Sequence, residues 1–129
     1  DPIIPICSPG LISRLMLCLK AMIAGAVALP AIIFDEIDTG TSGDVADRVG
    51  AIMKEMSSGM QVIVITHLPQ IASKGDVHFK VYKEETDLEM TTNIKVLTSS
   101  EKIEEIAGML SGAEITKEAL QNARVMLGL

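Results

Sequence analysis

Two short apolar runs with an amphipathic segment between them constrain the fold of this chain more than any other feature. Leu29 to Phe34 is entered through Pro30 and closed by Asp35-Glu36, and Gln61 to Thr66 is closed by His67. Each has strand length without polar alternation, the pattern of a strand buried on both faces of a parallel sheet. Between them, Thr39-Gly40-Thr41-Ser42-Gly43 is turn chemistry, after which Val45, Val49, Ile52, Met53 and Met56 mark one helical face as far as Gly59. Strand, helix and strand in this order form a unit of a parallel α/β sheet, whose crossover brings both strand ends to one edge.

The flanking segments extend this pattern. Ser8-Pro9 places a capping serine before a proline at the first helical position, and Ile12, Leu15, Met16, Leu19, Met22 and Ile23 share one face, which predicts a helix from about Pro9 to Gly25. After His67, Pro69 precedes a short helical turn around Gln70 to Lys74. From Val77 to Lys83 apolar and polar residues alternate, Glu84 to Glu89 intervenes, and Thr92 to Leu97 alternates again: a hairpin-like pair with one solvated face. Thr98 and Glu101 have capping-box spacing ahead of Ile103, Ile106, Ala107 and Leu110; Gly112 ends that helix, and Thr116 opens a last one reaching Leu127. With no internal repeat, low-complexity tract or linker, the 129 residues are expected to form one compact core.

Composition narrows the function. Apolar residues make up 48% of the chain, yet Phe34, Phe79 and Tyr82 are its only aromatics, so the core is aliphatic. A net charge of -6 argues against a nucleic-acid footprint within this segment, because phosphate binding needs clustered Lys and Arg. Cys7 and Cys18 have no partners at metal-ligand spacing, which points to reduced thiols in a cytoplasmic protein rather than a zinc site or disulfide. Lys20 and Pro30 interrupt the apolar stretch from Leu15 to Ile33, which disfavours a membrane span. Asp1-Pro2 does not resemble a signal peptide, and the start is that expected of a fragment.

Chemistry concentrates at the two strand ends. Ligands of open α/β sheets bind at the C-terminal edge, where this chain delivers Asp35 and Glu36 side by side. Phosphoryl transfer to water needs a carboxylate to hold hydrated magnesium and a base for the attacking water, tasks that adjacent Asp and Glu can divide. Taken alone, a solvated turn after a core strand explains the pair equally well. His67 is predicted at the same edge, where an imidazole can hydrogen-bond a terminal phosphate oxygen or the attacking water. A lone strand-end histidine is more often structural, so its role depends on its neighbours.

Four blocks in one order carry a resemblance: Ile12 to Leu17, Phe34-Asp35-Glu36-Ile37-Asp38-Thr39-Gly40, Thr66-His67-Leu68-Pro69-Gln70-Ile71-Ala72, and Lys80-Val81-Tyr82-Lys83. Together they resemble the ATP-binding-cassette heads of the SMC-like DNA-repair proteins. The resemblance implies an α/β, partial P-loop NTPase fold with parallel strands, flanking helices and a following hairpin-like pair and helices, residues 1–129 being the C-terminal lobe of the head. It implies that Asp35 and Glu36 form the Walker B motif, Asp35 holding magnesium through water and Glu36 acting as general base. His67 matches the switch histidine, Asp38 the dimer contact of the D-loop, and Ser8 and Gly10 the signature residues that face a nucleotide on the opposite subunit.

Two departures accompany the resemblance. The signature Ser-Gly-Gly-Glu stands as Ser8-Pro9-Gly10-Leu11, so a backbone N–H donor and a carboxylate are lost from the surface that grips a partner's triphosphate. No Gly-x-x-x-x-Gly-Lys-Ser/Thr phosphate cradle occurs, nor the family's glutamine loop. The family carries both in an N-terminal lobe beyond a long coiled coil. The implied partners are therefore that lobe, a second head in a homodimer, and DNA through other regions, in a bacterial, nucleoid-associated protein. ATP and magnesium belong to the full-length protein, and neither is expected on this fragment alone.

Rival readings are a transporter's nucleotide-binding subunit and a non-catalytic dimerisation module. Transporters place proline after Asp-Glu, where Ile37 stands here, and an upstream P-loop followed by heptads would argue against the module. Among other residues, Met16, Met22, Met53, Met56 and Met109 read as core packing, Glu101, Glu104 and Glu105 as a solvated face, and His78 as an exposed bystander. Lys80, Lys83 and Lys95 suggest one hairpin face, too acidic in its surroundings for a DNA track. The family's P-loop strand lies between the strand ending at Thr66 and that beginning near Val77. Its absence predicts either a hairpin shifted to close the gap or, preferably, pairing of the apolar, β-branched Gln61 to Thr66 strand with a second copy.

Overall fold

The computed structural model describes Cys18, Leu19, Met22, residues 29–35 and residues 43–129. Cys18, Leu19 and Met22 are helical; the rest of the helix expected over Pro9 to Gly25, together with Ser8, Gly10, Glu36 and Asp38, lies outside the described residues. Met22 is 72% exposed and so is not the core residue its spacing suggested. The chain divides into two compact units, Asp1–Lys74 and Gly75–Leu129, each with its own packing, where one core was expected.

In the first unit, β1 (Ala31–Asp35), α1 (Gly43–Met56), β2 (Gln61–Ile65) and the short α2 (Pro69–Ala72) follow in sequence. β1 and β2 are parallel, in register from Ala31 beside Gln61 to Asp35 beside Ile65. Asp44 in the first turn of α1 and Lys54 in the last complement the helix dipole. The inner face of α1 supplies Ala46, Val49 and Met53 to a core with Phe34 and Ile71, against which Ile32, Val62, Val64 and Leu68 pack. A Cβ on Gly50 would lie 3.1 Å from the Gln70 carbonyl oxygen and 3.4 Å from the Ile71 Cα, so glycine permits the close approach of α1 to α2. The contact is tied outside by Lys74 and Asp47 at 2.9 Å.

Burial of these strands on both faces is not what the structure has. Successive strand residues point to opposite faces, and the face opposite Phe34 and Val64 leaves Ile33, Ile63 and Ile65 between 43 and 57% exposed. Only one helical layer covers the pair among the described residues.

The second unit contains β3 (Phe79–Glu85), β4 (Met90–Val96), α3 (Ser99–Ser111) and α4 (Lys117–Leu127). β3 and β4 form an antiparallel hairpin, in register from Phe79 beside Val96 to Glu85 beside Met90. Its turn is closed by the Thr86 N–H donating to the Glu89 carbonyl at 2.9 Å. The expected capping box is present: the Thr98 hydroxyl accepts from the Glu101 N–H while the Glu101 carboxylate accepts from the Thr98 N–H. Gly112 at φ 75° ends α3, and the buried Ile106, Ala107, Ala119 and Ala123 let α3 and α4 pack closely.

One hairpin face is solvated, as alternation predicts, but it is the apolar one. Phe79, Val81, Ile94 and Val96 are between 58 and 64% exposed. On the other face Lys80 sits directly across from Lys95, a repulsive pairing relieved by α3. Lys80 Nζ lies 2.6 Å from Glu105 and Lys95 Nζ 2.8 Å from Glu101, with Lys95 also over the Tyr82 ring at 5.8 Å. Glu101 and Glu105 are thus ion-paired rather than simply solvated, and strand parity puts Lys83 on the opposite face from Lys80 and Lys95. Nor is His78 a bystander. It is half-buried with Nε2 3.1 Å from the Gly75 carbonyl, and burial lowers its pKa against that hydrogen bond, aided by the Lys102 charge.

Hydrogen bonding from Lys95 and from the Thr98 backbone lowers the Glu101 pKa from 4.5 to about 2. A depressed carboxylate pKa stabilises the fold above the unfolded value, and that contribution fades as pH falls from about 4.5 through about 2. Glu101→Gln is therefore expected to flatten the acid limb of a circular-dichroism titration in that window. Coincident acid curves for the two proteins would show that the exposed pair contributes nothing.

Among the described residues, β2 pairs with β1 and β3 with β4, in two separate sheets.

Candidate functional site

The parallel register sets the geometry of the candidate site. β1 and β2 run together until Asp35 stands beside Ile65, so the chain leaves both strands at the same edge. Phe34, fully buried, anchors β1 immediately below that edge, and Asp35 beyond it is exposed. His67 follows the end of β2 and is also exposed, at the same C-terminal edge as Asp35.

The connection carrying His67 is short and fully built. Thr66 is half-buried, and its hydroxyl accepts the Leu68 N–H at 3.1 Å. The Leu68 carbonyl in turn accepts the N–H groups of Ile71, at 3.2 Å, and Ala72, at 2.9 Å, opening α2. Pro69 is buried at the first helical position, where no N–H is required, and Ile71 enters the core. The Thr66 hydroxyl and the Gly50 approach were not singled out from sequence. A hydroxyl residue two positions before an N–H that precedes proline was the available signal for the first.

Asp35 and His67 are thus brought to one edge, while Glu36, Asp38, Ser8 and Gly10 fall outside the described residues. Among the described residues no group of three His, Cys, Asp or Glu side chains is placed to hold a metal ion. A single exposed carboxylate nevertheless fits magnesium, which keeps several waters and takes its other ligands from phosphates. A shallow depression in the second unit, lined by Lys80, Glu105, Met109 and Ile115, contains none of the candidate residues. No described helix is long and apolar enough to cross a membrane.

No protein-family model matches the chain. Among solved structures it is similar to an SMC ATPase from work on ATP-driven dimerisation and DNA-stimulated activation of SMC ATPases. The TM-score is 0.65 at 21% identity, covering 86% of this chain and 66% of that one. The fold is accordingly part of a P-loop NTPase head of the SMC ATPase type. In sequence, the chain is 48% identical over 124 residues to the DNA repair protein RecN of Rickettsia conorii, covering 96% of this chain and 23% of that protein. RecN of Bacillus subtilis is 40% identical over 122 residues, covering 95% and 21%, and RecN of Haemophilus influenzae 39% identical over 129 residues, covering 100% and 23%. The chain is therefore a homologue of bacterial RecN over nearly its whole length, and it spans less than a quarter of the length of these relatives.

Proposed function

We propose that the chain is the C-terminal lobe of the ATP-hydrolysing head of a RecN-like DNA repair and recombination protein, supplying Walker B and switch residues to a dimeric nucleotide site. The observation that supports it most is the parallel register that delivers Asp35 and His67 to one edge. Bound magnesium and ATP would supply a phosphoryl group whose charge is already partly neutralised. Asp35 would hold the hydrated ion, Glu36 would serve as the base for the attacking water, and His67 would donate a hydrogen bond toward the terminal phosphate. Asp38 would serve as the contact to the second head, and Ser8 and Gly10 as signature residues toward its nucleotide. The net charge of -6 supports placing DNA contact in other regions of the protein, which would work at the bacterial nucleoid in the cytoplasm. Ile37, standing where transporters have proline, and the RecN similarity both disfavour a transporter subunit.

The chain contains no phosphate cradle, and the backbone amides and lysine of that cradle supply most of the ground-state grip on a triphosphate. Calorimetric titration of the isolated chain with Mg-ATP is expected to show no measurable binding, while the full-length protein containing it binds and turns over ATP. Micromolar affinity in the isolated chain would overturn this division of labour.

A further inference from the structure

We propose that Thr66 is a positioning residue for His67, fixing the backbone that presents the imidazole at the nucleotide edge without itself touching the nucleotide. The inference rests on the reading of His67 as the phosphate-sensing residue and adds to it the device that holds it.

Three residues, Thr66 to Leu68, must turn the chain from the end of β2 at Ile65 into α2 at Pro69. Leu68 caps α2 in an extended conformation, φ -97° and ψ 126°, with no side-chain cap. Its carbonyl opens the helix, and its N–H donates to the Thr66 hydroxyl at 3.1 Å. The ring closed by that hydrogen bond runs through the Thr66 side chain and along the main chain to the Leu68 nitrogen. Both backbone dihedrals of His67 lie within it. Rotating either one opens the bond, so the hydroxyl constrains the direction in which the His67 Cα–Cβ bond leaves the chain.

Both ends of the turn are anchored, which makes the constraint effective. On the strand side, β2 is held in register by β1. On the helix side, Pro69 and Ile71 are buried, and Gly50 lets α1 close on Gln70 and Ile71. With the ends fixed, the dihedrals of the intervening residues are the remaining freedom, and the Thr66 bond removes much of it at His67. An exposed side chain on such a turn gains its precision from the backbone, and small misplacements of a group near reacting atoms are costly to turnover.

The test uses the full-length RecN-like protein. Thr66→Val keeps the branched shape and removes the acceptor, whereas Thr66→Ser keeps the acceptor. The valine variant is expected to lower the ATP turnover number on the order of tenfold with the KM for Mg-ATP unchanged, and the serine variant to stay within about twofold of the parent. In a His67→Ala background, Thr66→Val should add less than about twofold, because the residue it positions has gone. Should the valine variant fail to fold, Thr66→Ala removes the same acceptor and takes its place. A loss of equal size in the His67→Ala background, or a serine variant as slow as the valine variant, would overturn the proposal. If His67→Ala alone leaves turnover intact, the failure lies in the underlying reading of His67, which is seen separately from any effect at Thr66.

Discussion

Glu36→Gln in the full-length protein is expected to lower ATP hydrolysis by about two to four orders of magnitude while leaving nucleotide binding in place. Glu36 directly follows Asp35, whose strand end lies at the same edge as His67. Glutamine retains the shape of the side chain and a hydrogen-bonding oxygen but cannot accept the proton of the attacking water at neutral pH. On the proposed reading, binding would draw instead on the phosphate cradle of the other lobe and on magnesium that Asp35 would hold, neither of which the substitution alters. Single-turnover hydrolysis measured beside equilibrium nucleotide binding separates the two effects. Near-normal hydrolysis in the variant would place the base at another residue. A parallel loss of binding would mean that Glu36 helps hold the metal rather than activate water.

The elements of this fold were legible where one physical signal dominated. The helical spacing of Val45, Val49, Met53 and Met56 beside two unbroken apolar runs specified the β1-α1-β2 unit, and with it the shared edge of Asp35 and His67. The Thr98 and Glu101 spacing specified the start of α3 because a capping box is a local device. Burial was less legible. A continuous apolar run says that a strand tolerates cover on both faces, and the residues that would provide the second layer need not lie in the same stretch of chain. Ile33, Ile63 and Ile65 show the difference. The hairpin teaches a related point, since alternation defines two faces without saying which meets a helix. Here the polar face does, because Lys80 and Lys95 are satisfied by Glu105 and Glu101 across a distance in sequence that no local pattern records. The Thr66 hydrogen bond was hidden for another reason: a hydroxyl near a strand end has several possible partners, and only the path into α2 selects Leu68.

Phe34→Ala is expected to destabilise the first unit by about 3–5 kcal/mol, the range for removing a fully enclosed aromatic side chain and leaving a cavity. Phe34 is completely buried against Ala46, Val49, Met53 and Ile71, so β1, α1 and α2 all lose contacts together. Such a loss is comparable with the whole stability of a small domain, and much of the population would unfold. Ile33→Ala, one residue earlier on the opposite face, is expected to cost less than about 1 kcal/mol, since the isoleucine is already 57% exposed and little beyond strand propensity is at stake. Urea unfolding of the isolated chain, followed at several protein concentrations, compares the two directly. The contrast should be independent of concentration if α1 is the only cover the sheet has. An Ile33→Ala cost that approaches the Phe34→Ala cost, and grows with concentration, would instead show that a second copy packs over Ile33, Ile63 and Ile65. In that case one-sided burial would describe the single chain but not the protein in solution.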